Sequence, residues 1–131
     1  MDKVAIVGMG YVGKGMKKIF PNAVEYDEPL KVGSQEEVNQ CDLAIVCVPT
    51  NTTESGWLDV SIVEDVVSWL NTPLILIKST LNPFTTESLM LKYRKRIVFS
   101  PEYMGEGKYY TPPKYPDPEN PISHGFLILG G

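Results

Sequence analysis

The sequence predicts a doubly wound α/β domain, a mostly parallel sheet of six strands with helices on both faces. Three observations predict it. Apolar, β-branched runs such as "KVAIVG" and "DLAIVCV" alternate with stretches whose apolar residues recur at helical spacing. Those runs are apolar on both faces, as strands covered by helices above and below must be. Directly behind the first run, Gly8, Gly10 and Gly13 follow in the order G-x-G-x-x-G.

The elements follow in order. Lys3 to Gly8 is the first strand, and Tyr11 to Phe20 a helix with Val12, Met16, Ile19 and Phe20 on one face, stopped by Pro21 and Asn22. "AVEYD" is a short second strand. Ser34 to Gln40 begins with Ser34 and carries Glu37 three residues on, the capping-box pattern of a short helix. Asp42 to Val48 is the third strand, and Leu58 to Leu70 a helix with Val60, Val63, Val67 and Leu70 at helical spacing. Pro73 to Lys78, Arg96 to Ser100 and Gly125 to Gly130 are strands four to six, and Phe84 to Arg94 is the helix between four and five. Six strands fit the order 3-2-1-4-5-6. Residues 101–121 have no period and hold Pro and Tyr in excess; their aromatics favour a structured loop at the carboxyl edge of the sheet over a linker. Asn51 to Trp57 reads as a mobile loop.

Composition bounds the function. The 131 residues suit one domain, 1–131, large enough to bury a core. Hydrophobic residues make up 43% and the net charge is -4, which fits a soluble protein without a surface for nucleic-acid phosphates. The cluster Lys92 to Arg96 lies at a predicted helix end, where cations favour the helix dipole. No apolar stretch approaches the roughly 20 residues of a membrane span. The chain starts at once with a strand, so no signal peptide is expected, and Cys41 and Cys47 read as reduced residues of a cytoplasmic protein. No metal is expected.

The glycines have the context their chemistry requires, between a strand and a helix. Gly8 permits the tight turn, Gly10 lets backbone approach a pyrophosphate, and Gly13 lets the helix pack on the strand. The helix N-terminus offers amides and a positive dipole end to phosphate. This is the Rossmann arrangement. Asp27, fourteen residues beyond Gly13, supplies the acid at the end of the second strand. Its carboxylate can accept from ribose hydroxyls and would repel a 2′-phosphate, which favours NAD over NADP. The alternative is a turn residue before Pro29, with Glu25 and Glu28 as rival acids.

Three more motifs close later strands: "CVPT" at Cys47 to Thr50, "KST" at Lys78 to Thr80 and "SPEYMGEG" at Ser100 to Gly107. With "GMGYVG" this ordered set resembles the UDP-glucose/GDP-mannose 6-dehydrogenase family over almost the whole chain. Dehydrogenases of the 6-phosphogluconate type share the first motif but not the last. The resemblance implies that Gly8, Gly10, Tyr11, Val12 and Gly13 line the pyrophosphate and that Asp27 holds the adenosine ribose. It implies that Lys31 contacts the same end, with spacing one residue short. Val48, Pro49 and Thr50 would contact the cofactor beside strand three, and Thr80 would lie near the nicotinamide and help to position water. Glu102 matches a glutamate that assists hydrolysis of a covalent intermediate, and Glu106 one beside the nicotinamide; Tyr103, Met104 and Gly105 lie between them on the substrate side. Thr80, Glu102 and Glu106 are therefore the implied catalytic residues.

Members of that family oxidise the C6 alcohol of a nucleotide sugar twice, yielding a uronic acid and two NADH, through a cysteine thioester. Their cysteine, lysine and asparagine follow the sixth strand, in central and C-terminal domains that are expected to be absent here. Neither Cys41 nor Cys47 has the family's G-x-C-F-P surroundings, so both read as structural. The chain is thus expected to bind NAD without being catalytically complete, with a UDP-sugar as the substrate that the missing domains would hold; oligomerisation stays open. The alternative is a non-catalytic Rossmann interaction module with a partly lost cofactor site. Departures from the family pattern are Asn51 in place of a second proline, "LNPFTT" in place of V-P-x-G-T, and a short span between strands two and three.

Overall fold

The computed structural model describes residues 2–104, 120–125 and 127–131. Among the described residues seven strands and four helices are formed: β1 (Val4–Val7), α1 (Tyr11–Ile19), β2 (Val24–Tyr26), α2 (Gln35–Asn39), β3 (Leu43–Val46), β4 (Asn51–Thr52), β5 (Leu58–Asp59), α3 (Ser61–Trp69), β6 (Leu74–Ile77), α4 (Thr85–Tyr93) and β7 (Ile97–Phe99). A short 3-10 turn covers Pro121–Ser123. The main sheet is parallel throughout and ordered β2-β1-β3-β6-β7.

The doubly wound class holds, with five strands in the sheet where six were expected. Only residues 27–42 separate β2 from β3, and α2 occupies the middle of that span. No room is left for a further edge strand in the first half. The last apolar run, Gly125 to Gly130, adds no parallel strand among the described residues. Its Gly130 makes an isolated antiparallel bridge to Phe99, and Leu127, Ile128 and Leu129 stay exposed. The Pro- and Tyr-rich stretch lies largely outside the described residues.

Strand alternation divides the core into two layers. Ala5 and Val7 of β1, Ala44 and Val46 of β3 and Ile75 and Ile77 of β6 point to one face, where α2, α3 and α4 cover them with Val38, Val63, Val67 and Leu89. Ile6, Ile45 and Leu76 point to the other, against Met16 and Val12 of α1. This division follows from right-handed crossovers. The chain leaves β1 in one direction to form β2 and crosses in the other to form β3, so α1 and the later helices lie on opposite faces.

Local chemistry explains the helix ends. Ser34 Oγ accepts the Glu37 N–H at 3.3 Å, as the capping pattern predicts, and the Glu37 carboxylate accepts from the Ser34 hydroxyl at 3.2 Å where the full capping box would have it accept the Ser34 N–H. Helix α3 starts at Ser61, later than the expected Leu58, because Leu58 and Asp59 are taken by β5. Strands β4 and β5 form an antiparallel hairpin, so Asn51 to Trp57, expected as a mobile loop, is ordered instead. Asn82 clasps this hairpin: its Oδ1 accepts the Leu58 N–H and its Nδ2 donates to the Leu58 carbonyl, both at 2.9 Å. The cations after α4 serve packing. Lys95 Nζ donates to the carbonyls of Val67 and Ser68 at 2.6 and 2.9 Å, at the C-terminal end of α3. Lys92 pairs with Glu64. Among the described residues no helix is long and apolar enough to cross a membrane.

Candidate functional site

The strand order reverses between β1 and β3, and loops leaving their carboxyl ends diverge there. Ligands of open α/β sheets bind in the crevice that results. The molecule carries a cavity of about 670 Å³ at this point, walled by the glycine loop, by Asp27, Pro29 and Leu30 beyond β2, and by the ends of β3 and β6.

The glycine loop is shaped by contacts that side chains would block. Gly8 has φ +96°, and a Cβ there would lie 2.8 Å from the Cys47 carbonyl carbon. A Cβ at Gly13 would sit 1.9 Å from the Gly8 oxygen, so helix and strand could not approach as they do. Gly10 differs: a Cβ there meets nothing within 4 Å. Its glycine therefore relieves no clash inside the protein, and the residue lines the cavity. Gly10 also caps α1 without a side-chain hydrogen bond, and the first turn of α1 holds no acid. The helix therefore presents its positive end at the cavity without an acid of its own first turn to neutralise it.

Asp27 forms the adjoining wall. Its two carboxylate oxygens accept the Met9 N–H at 2.8 Å and the Leu30 N–H at 3.0 Å. One side chain thus ties the middle of the glycine loop to the turn after β2, and its remaining lone pairs can still accept from hydroxyls. Of the rival acids, Glu25 pairs with Lys17 at 3.1 Å, and neither Glu25 nor Glu28 lines the cavity. Lys31 has φ +56° in the turn closed by the Asp27–Val32 bridge and does not line the cavity either.

The opposite wall is held by polar side chains. Thr50 Oγ1 donates to the Thr80 carbonyl at 2.7 Å, and Ser79 Oγ to the Val48 carbonyl at 2.6 Å. These bonds lock the end of β3 to the end of β6, with Val48, Pro49, Thr50 and Thr80 all on the cavity. Glu102 and Met104 complete the inner end; Tyr103 faces a second, smaller cavity. Gly105 and Glu106, expected on the substrate and nicotinamide side, lie outside the described residues. Residues 101–104 are not helical.

The cysteines do not offer a nucleophile. Cys47 lines the cavity, but burial, reinforced by the Glu102 carboxylate and opposed by Lys78, pushes its thiol up to about 12. Burial also raises Cys41. A thiol so displaced is protonated near neutral pH and reacts poorly.

Sequence reading missed Pro29 and Leu30 as cavity walls, and Gly15 as a packing notch: a Cβ there would lie 2.3 Å from Met104 Cε. Gly15 follows the motif glycines on α1, and its helical spacing against a distant methionine leaves no local signal.

The donor set suits a dinucleotide: backbone room and a helix N-terminus for the pyrophosphate, a carboxylate for the ribose, and an elongated cavity continuing to Thr50 and Thr80. Comparison with known proteins agrees. The sequence pattern of the UDP-glucose/GDP-mannose dehydrogenase family NAD binding domain matches residues 14–117. No curated protein matches at a significant level. Among solved structures, the fold resembles GDP-mannose dehydrogenase from Pseudomonas aeruginosa, with TM-score 0.66 and 17% identity over 79% of this chain and 37% of that one. UDP-glucose dehydrogenase from the archaeon Pyrobaculum islandicum gives 0.67 and 20% over 82% of this chain and 37% of that one. UDP-D-ManNAc dehydrogenase from Pyrococcus horikoshii gives 0.59 and 16%, over 79% and 37%. The chain thus spans well under half the length of each. At these identities the likeness shows the fold; the matched span of 14–117 shows the family. The chain belongs to the UDP-glucose/GDP-mannose dehydrogenase family, as its NAD-binding domain.

Proposed function

We infer that this chain is the coenzyme half of a nucleotide-sugar 6-dehydrogenase. NAD would lie across the cavity with its pyrophosphate at Gly10, Tyr11 and Val12, its adenosine ribose at Asp27 and its nicotinamide toward Thr50 and Thr80. When bound, NAD supplies the hydride acceptor. The residues of this chain bind and orient it: the end of α1 meets the phosphate charge, Asp27 takes hydroxyls and repels a 2′-phosphate, and the Thr50–Thr80 lock fixes the far end. The observation that carries the reading is the cavity at the reversal of strand order, lined by Gly10, whose glycine relieves no contact within the protein, and by Asp27.

The substrate side belongs to a partner segment or chain. The thioester chemistry of the family requires an activated thiol. The raised thiols of Cys41 and Cys47 do not provide one. The isolated chain should therefore bind NAD but form no NADH from UDP-glucose. Calorimetric titration with NAD and NADP tests the first statement, with NAD expected to bind more tightly. Absence of NAD binding, or affinity unchanged by Asp27→Ala, would overturn it. Sustained UDP-glucose-dependent NADH formation would overturn the second.

A further inference from the structure

Lys78 opens "KST" directly after β6, and its ammonium is buried in the protein. The residue is only 6% exposed. Its Nζ meets three acceptors, all in the segment after β7: Ser100 Oγ at 3.2 Å, the Pro101 carbonyl at 3.3 Å and Glu102 Oε2 at 3.5 Å. It donates to the first two and stands as an ion pair with the third. Glu102 spends its other oxygen, Oε1, on the N–H groups of Tyr103 and Met104, each at 2.8 Å. Its Oε2 has no hydrogen-bond partner among the described residues, and the nearby ammonium is what compensates it.

A buried charge deprived of its partner is strongly unfavourable, so Lys78 and Glu102 must stay together. Lys78 is the fixed member. It continues β6, and its N–H bonds the Val46 carbonyl at 2.8 Å. Glu102 is the carried member, on a short irregular segment. The pair also forms a partition: both residues line the 670 Å³ cavity and a second, mostly apolar cavity of about 200 Å³ bounded by Met16, Phe20, Leu76 and Tyr103.

The geometry points to Lys78 as the positioning residue of the inner wall: from β6 it holds Glu102, and with it Met104 in the notch at Gly15, against the cofactor cavity. Its effect on nucleotide affinity rests on the reading of that cavity as an NAD site. The charged and titratable groups around the pair, among the described residues, are Cys47 at the end of β3, and Tyr103 and His124 on the second cavity.

Cys47 supplies a reporter, because Glu102 disfavours its thiolate and Lys78 favours it. The experiment measures iodoacetamide alkylation of Cys47 in the 131-residue chain against pH, read by peptide mass so that Cys41 does not contribute. Lys78→Met should slow alkylation about tenfold and Glu102→Gln should speed it about tenfold, with the double variant returning close to the parent. The double variant should also melt above Lys78→Met, because no lone charge is left inside. Lys78→Arg should restore most of the parent behaviour. If Lys78 only fills space, its removal opens the wall and speeds alkylation, and the double variant is worse than either single one; that result overturns the proposal. Where Lys78→Met does not fold, a folded double variant supports the proposal and an unfolded one overturns it. A parallel titration should show NAD affinity falling at least about tenfold in Lys78→Met, and unchanged affinity would count against positioning. Alkylation is read without nucleotide, so its failure is distinct from a failure of the parent chain to bind NAD.

Discussion

The two walls of the cavity are built by opposite means. The wall at β1 and α1 is made by leaving side chains out: Gly8, Gly10 and Gly13 bring backbone to where a ligand and a strand need it. The wall at β3, β6 and the segment after β7 is made by putting polar side chains in: Thr50, Ser79, Lys78 and Glu102 each bond across to a neighbouring strand end. Where the first wall is close-packed backbone, at Gly8 and Gly13, it has no flexible group to give way, so it fails abruptly. The second is a set of separate bonds, so it should weaken one bond at a time.

The largest effect should come from Gly13→Ala. A Cβ 1.9 Å from the Gly8 oxygen and 2.9 Å from its carbonyl carbon meets backbone, with no flexible group to displace. The cost should reach about 3 kcal/mol or more, read as a fall in the denaturant midpoint or as failure to fold. A variant of near-parent stability would remove the basis for calling this wall rigid.

Gly10→Ala and Asp27→Ala separate binding from folding within that wall. At Gly10 the backbone has φ -76° and the added methyl meets only open space, so stability should change by less than about 1 kcal/mol. NAD affinity should nevertheless fall more than tenfold, because the methyl occupies the place of the pyrophosphate. Asp27→Ala should lower both quantities. It removes acceptors for the Met9 and Leu30 amides, costing about 1–3 kcal/mol, and it removes the ribose contact. Calorimetry beside thermal melts checks the pair, and equal melting losses in both variants would break the distinction.

The first wall was legible in the sequence because its rule is local. A strand, three glycines at fixed spacing and an acid at the next strand end are all read within residues 3–27. The second was legible only through the strand-end motifs taken together. Thr50 and Thr80 bond across thirty residues of separation, and nothing in "CVPT" alone tells which strand it will face. The strand count failed for a similar reason. Whether "GFLILG" joins the sheet depends on the edge of β7 and not on its own composition, and among its described residues only Gly130 reaches that edge. The hairpin of β4 and β5 was missed because its clasp, Asn82, lies twenty-four residues beyond Leu58. Asp27 as a loop tie was missed because its partner amide at Met9 belongs to backbone, which carries no sequence signal.

On the second wall, Asn82→Ala should cost about 1–2 kcal/mol by removing both bonds to Leu58. The loss should be local, seen as faster hydrogen exchange at the Leu58 amide, with the sheet amides of β1 and β3 unchanged. A global loss of protection would mean that the hairpin supports the whole sheet.

Gly15→Ala should have the smallest effect on stability and is the finest test of how the walls meet. The new Cβ would lie 2.3 Å from Met104 Cε and 2.5 Å from its Sδ, the far end of an unbranched side chain that can turn aside. Alanine is favoured over glycine inside a helix by about 1 kcal/mol, which offsets the displacement. The net stability change should therefore stay within about 1 kcal/mol. Met104, however, also lines the cavity, so turning it aside should alter NAD affinity by a few fold while the fold is preserved. Restoring the notch from the other side, with Met104→Ala in the Gly15→Ala background, should bring stability and affinity changes that are not additive, because the two residues touch. Strict additivity would separate the helix from the segment after β7, and the two walls would then act independently.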